Sequence, residues 1–234
     1  MKKVLVTGAT RGIGKAVAEL YKEKGYYLIG VASQHLAKRP TYLDEYQQCD
    51  FTDYESIDNF CSFLELEHID ILINNAGINI IANFCDIKSE DFQKVQQVNV
   101  YAPFRISQTV IPNMLDTGWG RIVSVSSVWG KKSKQGRASY SASKFAIDGL
   151  TLAMANEFAS NGVLCNSVSP GFIDTEMTHK NLGPAGIAKM LEAVPIKRLA
   201  DVSEVAKFIV WLGSEENSYI SGQNISIDGG FTRA

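Results

Sequence analysis

"TGATRGIG", residues 7–14, lies between a short apolar run, "KVLVT" (3–7), and a helical pattern over 12–24. Gly8, Gly12 and Gly14 follow the spacing G-x3-G-x-G. Glycine lets a backbone turn tightly and come close to a ligand. The free N–H groups at the start of a helix then face an anion. A strand, a glycine turn and a helix in that order predict a dinucleotide diphosphate site rather than a bare turn.

The alternation continues outward. "YLIGVA" (27–32), "DILIN" (70–74), "RIVSVS" (121–126), "VLCNSVS" (163–169) and "NISI" (224–227) are short and β-rich, with a weaker candidate strand at Tyr46–Cys49. Helical patterns occupy 53–67, 89–115, 140–160 and 202–213. Strands apolar on both faces and separated by helices predict a parallel sheet covered on both sides. The expected fold is therefore α/β: one Rossmann-type, doubly wound, parallel seven-stranded sheet with helices on both faces. Ligands of such a sheet bind beyond the carboxyl ends of its strands.

Composition narrows the function. A chain of 234 residues that is 45% hydrophobic fits one domain over 1–234. A net charge of −2 lacks the basic balance of a nucleic-acid binder. Cys49, Cys61, Cys85 and Cys165 are scattered, without CxxC or a nearby His pair, so neither a metal site nor a disulfide framework is expected. Reduced thiols of a cytoplasmic enzyme are the expectation. "MKKVLV" opens like a signal peptide, but its apolar run ends before Gly8. No window approaches the roughly 20 apolar residues of a membrane helix.

Dinucleotide folds that take NAD carry Asp or Glu about 20 residues past the glycines, on the ribose 2′-hydroxyl. Here Ser33 ends the second strand, and no acidic residue occurs from Gly25 through Leu43. Arg11 sits inside the glycine loop, and His35, Lys38 and Arg39 follow the strand. A 2′-phosphate meets no carboxylate there, so NADP (NADPH) is expected over NAD.

"SYSASK" (139–144) places Tyr140 four residues before Lys144. On a helix the two share a face. A tyrosine with a pKa of about 10 is a poor acid–base group at neutral pH, and a neighbouring ammonium lowers that value. The pair is expected to exchange a proton with a carbonyl or alcohol.

With these segments in view, the chain resembles the short-chain dehydrogenases/reductases over nearly its whole length. "TGATRGIG" resembles their cofactor loop, and implies cofactor contacts at Gly8, Thr10, Arg11, Gly12, Ile13 and Gly14. "CDFTD" (49–53) implies an adenine contact at Asp50. "NNAG" (74–77) implies contacts at Asn75, Ala76 and Gly77. "SPGFIDT" (169–175) implies nicotinamide contacts at Pro170, Gly171, Ile173 and Thr175, and "SIDGG" (226–230) resembles the last strand end. Asn99 in "VNVYAPF" matches the family's catalytic asparagine, and Ser127, 13 residues before Tyr140, its serine; Ser126 is the alternative. The resemblance implies that Tyr140 donates the proton. Lys144 would hold the nicotinamide ribose and lower the tyrosine pKa, Ser127 would polarise the substrate oxygen, and Asn99 would support a water linking Lys144 to solvent.

Within the family the chain looks most like 3-oxoacyl-acyl-carrier-protein reductases, through "SPGFIDTEMT" and "PIKRLADVSEVA" (195–206). That implies a 3-oxoacyl thioester substrate and possible docking of an acyl carrier protein. Two basic docking positions of those reductases fall on Gly118 and Asn161, and "KKSK" (131–134) is the substitute to weigh. A dehydrogenase of another alcohol, ketone or sugar-derived compound, and a non-catalytic NADP sensor, are the competing readings. Residues 172–198, with Gly183, Pro184 and Gly186, are expected to form a mobile lid loop. Phe172, Met177, Met190 and Trp129 are pocket-wall candidates. The helical patterns at 89–115 and 140–160 are apolar on more than one face. The resemblance implies a homotetramer, with Phe231–Ala234 reaching toward a neighbouring subunit.

Overall fold

Seven short strands pair in parallel in the order β3-β2-β1-β4-β5-β6-β7. They are β1 (Lys3–Thr7), β2 (Tyr27–Ala32), β3 (Glu45–Gln48), β4 (Ile71–Asn74), β5 (Gly120–Val125), β6 (Val163–Pro170) and β7 (Asn224–Ile227). The computed structural model describes residues 1–234 except the side chains of Met177 and Asn181, so the expected wall residue Met177 lies outside the described residues. The expected strands are all present, with ends shifted by a residue or two.

The sheet is apolar on both faces because successive side chains point opposite ways. Leu5, Leu72 and Ile122 enter one core with Ile57, Phe60 and Leu64 of α2 (Tyr54–Leu64) and Ile106 and Val110 of α4 (Ala102–Thr117). Val4, Val6, Ile71 and Ile73 enter the other with Val17 and Tyr21 of α1 (Gly12–Glu23) and Val205 and Ile209 of α7 (Val202–Leu212). α5 (Ala138–Phe158) packs along β6. β1 pairs with both β2 and β4, so the strand order reverses at its carboxyl end. That reversal opens the ligand crevice.

Two expectations change. The pattern over 89–115 is not one helix. α3 (Ser89–Gln96) passes through a π turn, Gln97–Tyr101, before α4 begins. The expected lid loop is mostly helix: α6 runs Glu176–Leu191, capped by Thr175 Oγ1, which accepts from Thr178 N at 3.3 Å. Its helical geometry breaks at Gly183 (φ 60°, ψ 173°), just before Pro184. A left-handed residue and a proline interrupt the hydrogen-bond ladder without abolishing the helix on either side. Helix α7 starts on a capping box, with Asp201 Oδ1 accepting from Ser203 N at 2.8 Å and Glu204 Oε2 from Asp201 N at 2.8 Å.

A Cβ at Gly14 would lie 2.3 Å from the Gly8 carbonyl oxygen and 2.4 Å from Asn75 Nδ2. Gly14→Ala is expected to lower the urea-unfolding free energy by on the order of 2–4 kcal/mol. Gly149→Ala in α5, where a Cβ meets nothing within 4 Å, is the control, with a gain of at most about 1 kcal/mol.

Candidate active site

The glycine turn leaves β1 at the reversal point. Gly8 (φ +68°) and Gly12 (φ +53°) occupy the left-handed region that side chains avoid. The adjoining "NNAG" segment is stapled to it. Thr7 Oγ1 accepts from the backbone N–H of Asn75 and of Ala76, each at 2.9 Å, and Asn75 Nδ2 donates to Thr7 O at 2.9 Å. Arg11, the N-cap of α1, gives its first turn no side-chain acceptor, and that turn holds no acidic residue. Open N–H groups and a positive helix end fit a diphosphate. A Cβ at Gly12 would have Thr175 Cγ2 as its nearest neighbour, at 3.8 Å, so a ligand has room there. Ile13 packs on the α1–α7 core, leaving its backbone for a ligand, and Thr10 is half-buried beside it.

The other expected cofactor residues line the same strand ends. Ser33 is exposed just past β2. Arg11 is not a lone cation: its Nη1 lies 3.7 Å from Glu176 Oε2, both exposed. Asp50 is exposed, and its Oδ1 accepts from Thr52 N (2.9 Å) and Thr52 Oγ1 (2.8 Å). Pro170 ends β6, Gly171 N donates to Ile227 O at 2.8 Å, and Ile173 is buried.

The catalytic candidates converge beside this cradle. Asn99 sits buried in the π turn, a wide turn often found at functional sites. Its Oδ1 accepts from Ile78 N (2.9 Å), and its Nδ2 donates to Ile78 O (2.9 Å) and Ser143 Oγ (3.0 Å). Ser143 Oγ in turn donates to Tyr140 O at 2.7 Å. Lys144 is buried, and its Nζ donates to Val125 O at 2.7 Å. A Cβ at Gly77 would meet Asn99 Oδ1 at 3.3 Å and Lys144 Nζ at 3.6 Å, so these three share one corner. The two serines separate. Ser126 Oγ donates back to Lys144 O at 3.0 Å, a structural task. Ser127 Oγ accepts from Trp129 N at 3.2 Å and lies close enough to the Tyr140 hydroxyl to favour its phenolate.

Electrostatics correct one expectation. Burial raises the Tyr140 pKa above its ordinary value, and that outweighs the opposing Ser127 hydrogen bond and Arg137 charge. Burial also lowers Lys144 to about 8. Lys144 Nζ, drawn to the Val125 carbonyl, stands 5.5 Å from the Tyr140 ring centroid. The cation that favours the phenolate is Arg137, not Lys144. Arg137, the N-cap of α5 three residues before the tyrosine, was not among the expected site residues, because the four-residue Tyr–Lys pattern does not include it.

Trp129, Phe172 and Phe231 form an edge-to-face trio with centroids 5.1–6.0 Å apart. Phe231 thus packs on its own chain, while Arg233 and Ala234 beyond it are exposed. No helix among the described residues is long and apolar enough to cross a membrane, and no cluster of three His, Cys, Asp or Glu able to hold a metal ion occurs among them.

The family model described as "Enoyl-(Acyl carrier protein) reductase" matches residues 8–232. A 3-oxoacyl-[acyl-carrier-protein] reductase FabG of Vibrio cholerae is 39% identical, over 98% of this chain and 96% of its own. An acetoacetyl-CoA reductase of Cupriavidus necator is 34% identical over 96% of each. A crystal structure provisionally described as an NAD(P)-dependent gluconate 5-dehydrogenase of Beutenbergia cavernae, with NADP bound at low occupancy, superposes with a TM-score of 0.94 at 30% identity, covering 100% of this chain and 97% of that one. A structure described as a short chain dehydrogenase/reductase family protein gives 0.89 at 30% identity, covering 99% and 97%.

The buried lysine has a measurable cost. Its folded pKa of about 8 lies below the 10.5 of the free side chain, so between those values the unfolded chain binds more protons. Stability therefore rises with pH across that window, and the penalty is complete below pH 8. Lys144→Met is expected to stabilise the ligand-free protein at pH 7 by up to roughly 3 kcal/mol, with the difference fading in urea titrations as pH rises from about 8 to 10.5.

Proposed function

The chain belongs to the short-chain dehydrogenase/reductase family, NAD(P)-dependent oxidoreductases of CH–OH and C=O groups, and we propose that it reduces a ketone to a secondary alcohol with NADPH. The observation carrying this reading is the meeting of Tyr140, Ser127 and the buried Lys144 beside a glycine turn with open N–H donors. Gly8–Gly14, Asn75–Gly77 and Pro170–Thr175 would hold the dinucleotide, with Asp50 at the adenine and Ser33 and Arg11 at the 2′-phosphate. Bound NADPH supplies the hydride.

The chain's own groups manage the proton. Tyr140, protonated at neutral pH like any tyrosine and held further from ionisation by burial, donates its proton to the substrate oxygen as charge develops there. Ser127 donates a hydrogen bond to the same oxygen. Arg137 stabilises the phenolate left behind. Lys144, with a pKa near 8, both gives and regains a proton at neutral pH and returns one to Tyr140. Asn99, locked between Ile78 and Ser143, orients the route from Lys144 to solvent. Helix α6, with its break at Gly183, is the substrate lid.

The relatives recommend a 3-oxoacyl thioester as substrate, on a carrier protein or coenzyme A. A second reading, an acidic sugar-derived ketone, is favoured by the buried Arg137 near Tyr140 and by the non-basic Gly118 and Asn161. Phe104, Phe145 and Leu152 are 42–50% exposed on α4 and α5, apolar surface suited to the expected homotetramer.

NADPH oxidation with acetoacetyl thioesters and free ketones tests the reading; no oxidation with any of them would sink it. Tyr140→Phe is expected to keep NADPH affinity and lose about 10²–10⁴-fold in kcat. Ser33→Asp is expected to move the NADPH/NADH ratio of kcat/KM toward NADH by about tenfold or more, as carboxylate repulsion of the 2′-phosphate requires.

A further inference from the structure

Arg121 and Arg137 are both almost fully buried, at 5% and 6% exposure. Arg121 is satisfied: Nε and Nη2 donate to Asn217 O (3.2 and 2.9 Å), and Nη1 to Gly120 O (2.7 Å) and Gly162 O (3.1 Å). Arg137 has nothing comparable. Its Nε is buried without a hydrogen-bond partner. No carboxylate lies within 4 Å of it among the described residues. Arginine keeps its charge throughout the working pH range, and burying an unpaired charge is strongly destabilising. A structural role would have given the guanidinium the carbonyl partners that Arg121 has.

The position explains the exception. Arg137 stands one turn before Tyr140, close enough to favour its phenolate. Other polar groups nearby are also unpaired. Asn79 Oδ1, in the loop after β4, and Gln97 Nε2, in the π turn, are buried without partners. Both segments meet the start of α5, where Gln96 Nε2 donates to Ser139 O (2.9 Å) and Gln135 Nε2 to Asn83 Oδ1 (3.1 Å). Lys134 adds a second cation, its Nζ 5.1 Å from the Trp129 ring centroid, and it too has no carboxylate within 4 Å among the described residues.

We propose that the substrate is a ketone carrying a free carboxylate, which the buried Arg137 guanidinium binds through paired hydrogen bonds with Lys134 at the rim. A guanidinium matches a carboxylate with two parallel N–H···O bonds. The closeness of Arg137 to Tyr140 sets that carboxylate a few bonds from the reacting carbonyl. A thioester offers no anion at that distance, so the acidic ketone ranks above it. The inference rests on the ketone-reductase reading.

The test compares kcat/KM with NADPH for levulinate against methyl levulinate, and for acetoacetate against methyl acetoacetate. At least one acid should exceed its ester by tenfold or so, and Arg137→Gln should reduce that acid/ester ratio by about 10- to 100-fold, mainly through KM, as loss of charge-assisted hydrogen bonds predicts. Arg137→Lys should restore part of it. The ratio is the readout because an altered Tyr140 environment affects acid and ester alike. Calorimetric titration of levulinate into the NADP-loaded protein should show the same loss of affinity. If Arg137→Gln does not fold, Lys134→Gln at the exposed rim should lower the ratio by about 2- to 5-fold, and no change would overturn the proposal. Equal ratios, or equal levulinate affinities, in wild type and Arg137→Gln overturn it. Ester reduction without preference for the acids overturns it while leaving the ketone-reductase reading standing. Reduction of acetoacetyl thioesters with failure on all four compounds overturns the proposal alone; failure to oxidise NADPH with the thioesters as well overturns the ketone-reductase reading, and the calorimetric comparison then decides the carboxylate proposal.

Discussion

One buried hydroxyl holds the functional end of the sheet together. Thr7 Oγ1 receives the N–H groups of Asn75 and Ala76 across the gap between β1 and β4, where the strand order reverses. Without it the two part-buried backbone donors would lose their partner. From that clasp the ordering passes outward. Asn75 Nδ2 reaches the carbonyls of Thr7 and Gly8, Ile78 grips both ends of the Asn99 amide, and Asn99 passes the constraint through Ser143 to the Tyr140 carbonyl. The glycine turn and α5 are thus parts of one hydrogen-bonded assembly, although about 130 residues of chain separate them.

That assembly sets two titrating groups against their solvent preferences. Burial disfavours the charged form of each, so the phenol stays protonated and the ammonium loses its proton more readily than in water. The first shift keeps the phenol protonated but makes it a weaker acid, and the second brings the ammonium's titration closer to neutral pH. The same burial weakens the fold, and a site that works at the expense of local stability is common among enzymes. The Val125 carbonyl keeps the Lys144 chain extended toward β5, and the Ser126 hydroxyl fixes the Lys144 backbone from the same strand end.

Much of this was legible in the chain. The strands were readable because every one is short and bounded by turns, and β1 and β4 are apolar on both faces, Val4 and Val6 against Leu5, Ile71 and Ile73 against Leu72. The glycine turn, Asn75–Gly77, Ser127 and Pro170–Gly171 were placed near the sheet's carboxyl edge because they lie at or just past strand ends, whereas Asn99, Tyr140 and Lys144 sit on helical segments. Three features were not. The π turn at Gln97–Tyr101 differs from α-helix by one residue of register, which an apolar period does not resolve. Helix α6 was hidden by Gly183 and Pro184, which break the helix at one point and leave both sides intact. The influence of Lys144 on Tyr140 was misjudged because spacing puts two side chains on a face but does not say what each one reaches. Val125 O claims the ammonium, and Arg137, outside the four-residue pattern, acts on the phenol instead.

The aromatic trio ties together three stretches of chain far apart in sequence. Trp129 follows β5, Phe172 follows β6 and leads into α6, and Phe231 lies past β7. The chain has two other indoles, Trp119 under the cations of Lys2 and Arg121 and Trp211 stacked on Phe208, both packed against the α1–α7 core. Among the three indoles, Trp129 is the one packed against Phe172 and Phe231. Any displacement of the segment carrying Phe172 alters the contact of that one indole, so the protein contains a native optical reporter of movement at the entry to α6.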